Sequence, residues 1–383
     1  MGKDGGVGPP VDMRIAIIGT RGIPANYGGF ETLAEHLSVR LAERGHDVTV
    51  YCRKAYASHP HGHLYRGVRL AVLPTIRHKY FDTVIHSLLS SLHALPRRFD
   101  VILVCNAANT AVTFFPRLLG TPVAVNVDGL ERKRKKWNAL GRAWYRLAER
   151  LSTFLPSAII TDARTIETYY RERYGKDSTF IPYGAVTRAE PGTEALGRFG
   201  LQPKGYMLYV SRLEPENNAD LVIRAFERVA SNRKLVIVGD APYAGEYIHR
   251  LKATTDPRVI FTGTVFGTGY HQLQAGAYCY VQATEVGGSH PALVEAMGFG
   301  NCVAAADVPE HREVLGEAGH YFPLGDPAGL AELLQRFEDQ PELVERSGQA
   351  NAERVDGRYS WDLVTDGYEE LFRRLTGKAA GRE

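Results

Sequence analysis

The chain has 383 residues, 44% of them apolar and 23% charged, with a formal net charge of +3. That is enough chain for two domains with separate cores, and the composition excludes disordered and fibrous classes. The charge is too small to name a partner, so the placement of basic residues matters more than their number.

Cys52, Cys105, Cys279 and Cys302 lie far apart and form no CxxC pair. They read as small buried thiols of a reducing compartment, not as a disulfide framework or metal cluster. Residues 1–12 have no apolar h-region, and no run of about 18 uncharged apolar residues occurs, so neither a signal peptide nor a membrane span is expected.

RIAIIGT (Arg14–Thr20) is an apolar strand-like run. Helical spacing follows at Leu33, Leu37 and Leu41, and DVTVYC resumes a strand. This strand–helix–strand unit is the building block of a parallel sheet. The loop between carries Gly19, Gly22, Gly28 and Gly29 but no GxGxxG, which argues against a dinucleotide fingerprint. Gly28 and Gly29, just before the helix, let backbone approach a phosphate or sugar; the same glycines also serve a tight turn.

Leu88, Leu89, Leu92 and Leu95 continue a helical spacing, and VILVC and PVAVNV read as strands. Asp128 and Glu131 then fall at the carboxyl end of a predicted strand, where ligands of open α/β sheets collect. A basic run follows, Arg132, Lys133, Arg134, Lys135 and Lys136, and then Trp137, Leu140, Trp144, Leu147 and Leu151 at helical spacing. Two readings stand side by side: a solvated basic face on a helix with a core stripe, or a site meeting anionic head groups or a diphosphate-linked lipid. Nucleic acid is not expected, because no recognised binding module accompanies the charge.

SAIITDA is a strand and Arg164–Tyr174 a helix; Pro182, Gly184 and the polar stretch to Gly197 mark a linker. From Tyr206 the alternation of strand and helix restarts, which predicts a second doubly wound domain facing the first across a cleft. The expected boundaries are 13–184, 185–360 and a last helical segment, 361–383, whose pattern does not say whether it stays on the second domain or crosses back to the first.

EVGGSHPALVEAMGFG (Glu285–Gly300) places two glycines and a Ser-His-Pro turn at a predicted helix start. Unpaired N–H groups and the helix dipole make such a start an anion site, and Glu285 and Glu295 can hold hydroxyls of the same ligand.

GTRGIPANYGGFET, VDGLERKRKKW, SRLEPENN and EVGGSHPALVEAM, in this order, resemble the retaining GT-B glycosyltransferases of family 4, in particular a bacterial rhamnosyltransferase-like branch. The likeness runs from Arg14 to about Leu375. It implies an α/β GT-B fold of two Rossmann-like domains and transfer of a sugar, favoured as L-rhamnose from dTDP-rhamnose, to a lipid-diphosphate-linked saccharide in cell-surface polysaccharide synthesis. By the same resemblance Arg212 clamps the donor diphosphate, Gly287, Gly288 and Ser289 offer it N–H groups, and Glu295 takes ribose hydroxyls. Glu285 lies near the transferred sugar, Gly28 and Gly29 close the opposite wall, and Asp128 lies near the acceptor or reacting carbon. Asn217 and His290 join the donor side; the segment from Glu131 through Trp137 belongs to acceptor or membrane.

Two departures stand out. The family's glutamate pair has a spacing that counts back from Glu295 to Gly287, whereas Glu285 lies two positions earlier, and Asn217 replaces a lysine. No DxD sequence occurs, so no metal and no cofactor are expected, with Arg212 and the helix dipole in a cation's place. The expected location is cytoplasmic, on the inner face of a bacterial membrane. A GT-B-shaped nucleotide-sugar epimerase and an inactive nucleotide-sugar or anionic-lipid binding module are the alternatives.

Overall fold

A computed structural model describes residues 12–26, 28–56, 63–76, 81–130, 132, 138–187, 192–241, 244–285 and 288–378. The first half runs β1 (Arg14–Ile18), α1 (Gly29–Glu43), β2 (Asp47–Arg53), β3 (Leu64–Tyr65), β4 (Val68–Leu73), α2 (Phe81–Ala94), β5 (Val101–Cys105), α3 (Phe114–Leu118), β6 (Val123–Asn126), α4 (Ala139–Ser152), β7 (Ala158–Thr161), α5 (Arg164–Tyr174) and β8 (Thr179–Phe180). Its strands form one sheet in the order β3-β4-β2-β1-β5-β6-β7-β8, parallel except for the β3–β4 hairpin.

The second half runs α6 (Glu194–Arg198), β9 (Tyr206–Val210), α7 (Ala219–Phe226), β10 (Lys234–Val238), α8 (Gly245–Leu251), β11 (Val259–Gly263), α9 (Gly267–Gly276), β12 (Cys279–Gln282), α10 (Pro291–Gly298), β13 (Cys302–Ala306), α11 (Pro309–Leu315), β14 (His320–Phe322), α12 (Pro327–Asp339), α13 (Pro341–Arg358) and α14 (Trp361–Thr376). Six parallel strands form the second sheet, in the order β11-β10-β9-β12-β13-β14. Each sheet is covered on both faces, so its central strands are apolar throughout, as in RIAII of β1 and KLVIV of β10. The order reverses between β1 and β5 and again between β9 and β12. The carboxyl ends of those strands are where open sheets bind ligands. All four cysteines are free and buried.

The chain passes between the halves twice, and the two crossings lie side by side. The Ala185 N–H donates to the Tyr359 oxygen at 2.8 Å, and Ala185 forms a parallel bridge with Ser360. Gly184 lies against the Trp361 indole, where a Cβ would come within 2.6 Å of the ring. After the second crossing α14 lies on the first domain. Arg40 of α1 and Arg44 at its C-cap pair with Asp362, Asp366 and Glu369, and the Tyr368 hydroxyl accepts from Asn126 Nδ2 at 2.8 Å.

Two helices turn apolar residues outward. α2 buries Asp82, His86, Ser87, Ser90 and Ser91 and exposes Leu89 and Leu92. α4 buries Gly141, Tyr145, Ala148, Glu149 and Ser152. At about 100° per residue this leaves the Leu140, Trp144, Leu147 and Leu151 stripe roughly a third of a turn away from the buried face. Leu140 is 78% exposed and Leu147 49%, whereas Trp144 and Leu151 are half-buried, so the reading of that stripe as core fails for its two outer leucines.

Candidate donor and transfer site

The loop after β1 is folded over α1 by two carboxylates. Glu31 Oε1 accepts the Arg21 N–H at 2.8 Å, and Glu35 Oε2 accepts the Ala25 N–H at 2.6 Å. Gly28 is the N-cap of α1 and offers no side chain to its first N–H groups. Gly29, the first residue of α1, touches the first residue of α10: a Cβ on Gly29 would lie 2.8 Å from Pro291 Cγ. Two helix N-termini from opposite domains therefore converge at one point, each with the positive end of its dipole.

Arg212 follows β9 and is half-buried. Its main-chain oxygen accepts from Asn217 Nδ2 at 2.6 Å and from Glu214 N at 2.7 Å. The Tyr209 hydroxyl donates to the Asn217 oxygen. Asn217 is thus buried and shapes the turn that carries Arg212. The next strand over, β12, delivers Glu285, whose N–H bonds the Glu216 oxygen at 3.0 Å. Glu285 itself is exposed, and its Oε1 accepts from Asn218 Nδ2 at 3.2 Å. The Arg212 turn and the Glu285 loop are knitted into one rim.

Gly288 and Ser289 are buried, and His290 opens α10 with φ of 51°. The Thr284 hydroxyl lies 3.3 Å from His290 Nδ1, and the His290 ring packs 4.9 Å from buried His311. Burial pushes His311 down to about 4, so at neutral pH it stays uncharged. Gly287, Glu131 and 133–137 lie outside the described residues. Arg132 is described, and its guanidinium is engaged inward: Nε donates to Glu149 at 3.0 Å and Nη2 to the Tyr169 hydroxyl at 2.9 Å.

Glu295, on α10, is held by two tyrosines. Tyr270 donates to Oε2 at 2.6 Å and Tyr183 to Oε1 at 3.3 Å. Burial pushes its carboxyl up to about 7, against the pull of both hydroxyls. Across the cleft Asp128 takes a left-handed φ of 56°, uncommon for a residue with a side chain. Its N–H is fixed by Asn126 Oδ1 at 3.1 Å, and Asn126 is in turn held by Tyr368 of α14.

Sequence reasoning missed the two carboxylates that join the domains. Asp162, after β7, accepts from Ser289 N at 3.1 Å. Glu313, on α11, accepts the Arg164 N–H at 2.9 Å and so caps α5 from the opposite domain. In the sequence each is one acidic residue near a helix, and only the approach of the domains distinguishes them. Tyr183 and Tyr270 were equally silent. Among the described residues, the one acidic-histidine group with metal-like spacing is Asp12, His46 and Glu369. It lies at the amino ends of β1 and β2, away from the cleft, and Arg373 and Arg44 already pair with its carboxylates.

Residues 204–339 match the family model described as Glycosyl transferases group 1, and residues 13–186 match a domain of unknown function, DUF1972. A phosphatidyl-myo-inositol mannosyltransferase of Mycobacterium leprae is 30% identical over 200 residues, covering 50% of this chain and 52% of the relative. An O-antigen chain mannosyltransferase B of Escherichia coli is 25% identical over 44% of this chain and 46% of its own. The chain spans about half the length of the curated relatives it matches. Among solved structures, a sucrose-phosphate synthase of Thermosynechococcus elongatus superposes with a TM-score of 0.81 at 19% identity, covering 96% of this chain and all of the other. HepE of Anabaena, solved with UDP and glucose, gives 0.77 at 15% identity, over 94% of this chain and all of its own. The chain thus has the GT-B fold of two Rossmann-like α/β domains, the second of them matched over most of its length by the group 1 glycosyl transferases.

Proposed function

We propose that the protein is a retaining glycosyltransferase that moves a sugar from a nucleotide diphosphate sugar to a lipid-diphosphate-linked saccharide in cell-surface polysaccharide synthesis. The observation that carries this is the convergence of α1 and α10 at Gly29 and Pro291, with the Arg212 rim on the neighbouring strand β9. Two helix N-termini and a guanidinium stabilise the negative charge that grows on a departing diphosphate. Glu295, fixed by its tyrosines, takes ribose hydroxyls, and Glu285 at the rim stands near the sugar. The acceptor hydroxyl attacks from the side the leaving group departs, and the leaving phosphate oxygen takes its proton, so configuration is retained. Asp128 stands near the reacting carbon. Charge stabilisation is assigned to the protein without a metal, on the lack of a DxD sequence.

The resemblance favours dTDP-rhamnose as donor, and the mannosyltransferase relatives put a mannose donor beside it. The test is release of nucleoside diphosphate from a panel of nucleotide sugars, with and without a lipid-linked saccharide. Release that needs both substrates supports transfer. A changed nucleotide sugar without acceptor would mean an epimerase, and binding without release an inactive module.

The lipid-linked acceptor is supported by the outward apolar residues of adjoining helices. Leu89 and Leu92 of α2, Phe114 and Leu118 of α3, and Leu140 and Leu147 of α4 are all exposed. α4 touches α5 through Glu149 and Ser152 and also lies close to the turn at 107–113, which leads into α3. Arg142, Arg146 and Arg150 line the third face of α4. An apolar surface beside an arginine row suits an anionic bilayer, on the inner face of the membrane in this reading. No helix of the described residues is long and apolar enough to cross a membrane.

A further inference from the structure

Asp162 stands at the carboxyl end of β7 and faces the second domain. Its Oδ2 accepts the Ser289 N–H at 3.1 Å, and the Ser289 hydroxyl donates to its main-chain oxygen. Oδ1 is shut off from solvent with no hydrogen-bond partner. Gly288 makes the room: a Cβ there would lie 2.6 Å from both carboxylate oxygens, so a side chain would expel Asp162. A carboxyl group therefore rests on a main-chain donor of the loop entering α10, the place the donor reading gives to a phosphate.

The surroundings disfavour a second anion. Burial and then the Asp128 carboxylate push Asp162 up to about 7, and the Ser289 N–H opposes them. Glu313 of α11 adds to the push. Arg164 of α5 directs its guanidinium to Glu167 and the Phe180 ring, and the Tyr368 hydroxyl of α14 is engaged by Asn126. A diphosphate arriving beside this group brings more negative charge into a closed space.

We propose that Asp162 is a donor-binding residue that works as a neutral acid: without donor its carboxyl group occupies the Ser289 N–H, and on donor entry a phosphate oxygen takes that N–H while Asp162 gains a solvent proton at Oδ1 and donates it in a hydrogen bond to the phosphate. The proton stays on Asp162, and no covalent bond to carbon or phosphorus changes. The inference rests on the donor reading above and adds to it a proton that binds with the donor. Because a carboxyl that binds its proton more tightly in the complex links affinity to pH, donor binding weakens as pH rises above the Asp162 pKa, by up to about tenfold per pH unit.

The test is titration calorimetry of the full chain with UDP-, GDP- and dTDP-sugars, whose diphosphate diesters do not titrate near neutrality, in buffers of different ionisation enthalpy. Per donor bound at pH 7.5, the wild type is expected to take up more protons than Asp162→Asn, by more than about half a proton. Its affinity should also fall against the variant's between pH 7 and 9. Asp162→Ser, which carries no titrating group, is the second variant should the first fail to fold. A contribution from Glu295 is common to all three proteins and cancels in the difference. Equal proton uptake with donor bound overturns the role of Asp162 and leaves the donor reading intact. If no donor binds the wild type, the donor reading falls and this inference with it.

Discussion

The Tyr270 hydroxyl reaches from α9 to Glu295 Oε2 on α10 at 2.6 Å, and Tyr183 closes on the other oxygen. The carboxylate is thus oriented before any ligand arrives. Glu295→Ala is expected to weaken donor binding by about 10- to 100-fold, the worth of one or two hydrogen bonds to a charged group. Tyr270→Phe should weaken it less. Unchanged donor affinity in Glu295→Ala, read by calorimetry, sinks the ribose assignment.

The same carboxyl gives a stability signature. Its pKa in the folded chain is raised from 4.5 to about 7, so the folded state holds this proton more tightly than the unfolded state does. Stability therefore declines as pH rises from about 4.5 through 7. Glu295→Gln lacks this decline, and its melting temperature should gain on the wild type between pH 5 and 8. A constant gap would show that Glu295 ionises freely.

Arg212→Ala should lower turnover by about 10²- to 10³-fold, the range seen when one preorganised charge-stabilising donor is removed. The donor KM should change far less than kcat if the clamp acts mainly on the leaving diphosphate. Near-normal turnover would rule the clamp out.

Tyr368 lies on α14 yet is linked to the first domain's Asp128 through Asn126. Tyr368→Phe deletes one buried hydrogen bond and should cost about 1 kcal/mol of stability. The turnover test is sharper: a fall in kcat beyond that of a surface control of equal stability marks the relay, and an equal fall marks a purely structural bond.

Leu140→Glu with Leu147→Glu should leave melting unchanged, because both residues are exposed, and should reduce sedimentation with vesicles rich in anionic lipid. Replacing Arg142, Arg146 and Arg150 should reduce it in a salt-dependent way. Equal sedimentation of both variants and wild type removes the support for a bilayer.

Much of the fold was legible because central strands and long helices repeat their patterns plainly. Arg164–Tyr174 is a helix with the expected bounds, and KLVIV is a strand. The β3–β4 hairpin was not, since Leu64–Tyr65 is two residues long and turns through Arg66 and Gly67 at positive φ. The spacing of leucines identified α2 as a helix, but periodicity fixes only that two faces differ. It does not say that His86 and Ser90 are the ones buried. Glycine and arginine motifs stood out in the sequence because their chemistry is carried in consecutive residues. Asp162, Glu313 and Tyr270 make their contacts across the cleft or to Glu295 with residues more than 20 positions away, so no local pattern announces them.

The paired crossings at Ala185 and Ser360 have a mechanical meaning. A single connecting strand is a swivel, free to twist as well as bend. Two strands bonded side by side resist twisting and leave one easy axis, roughly the line that joins the two crossings. Any opening of the cleft is then a swing about that axis, and closure returns Gly29 to Pro291 and Asp162 to Ser289 together, as two points on one arc.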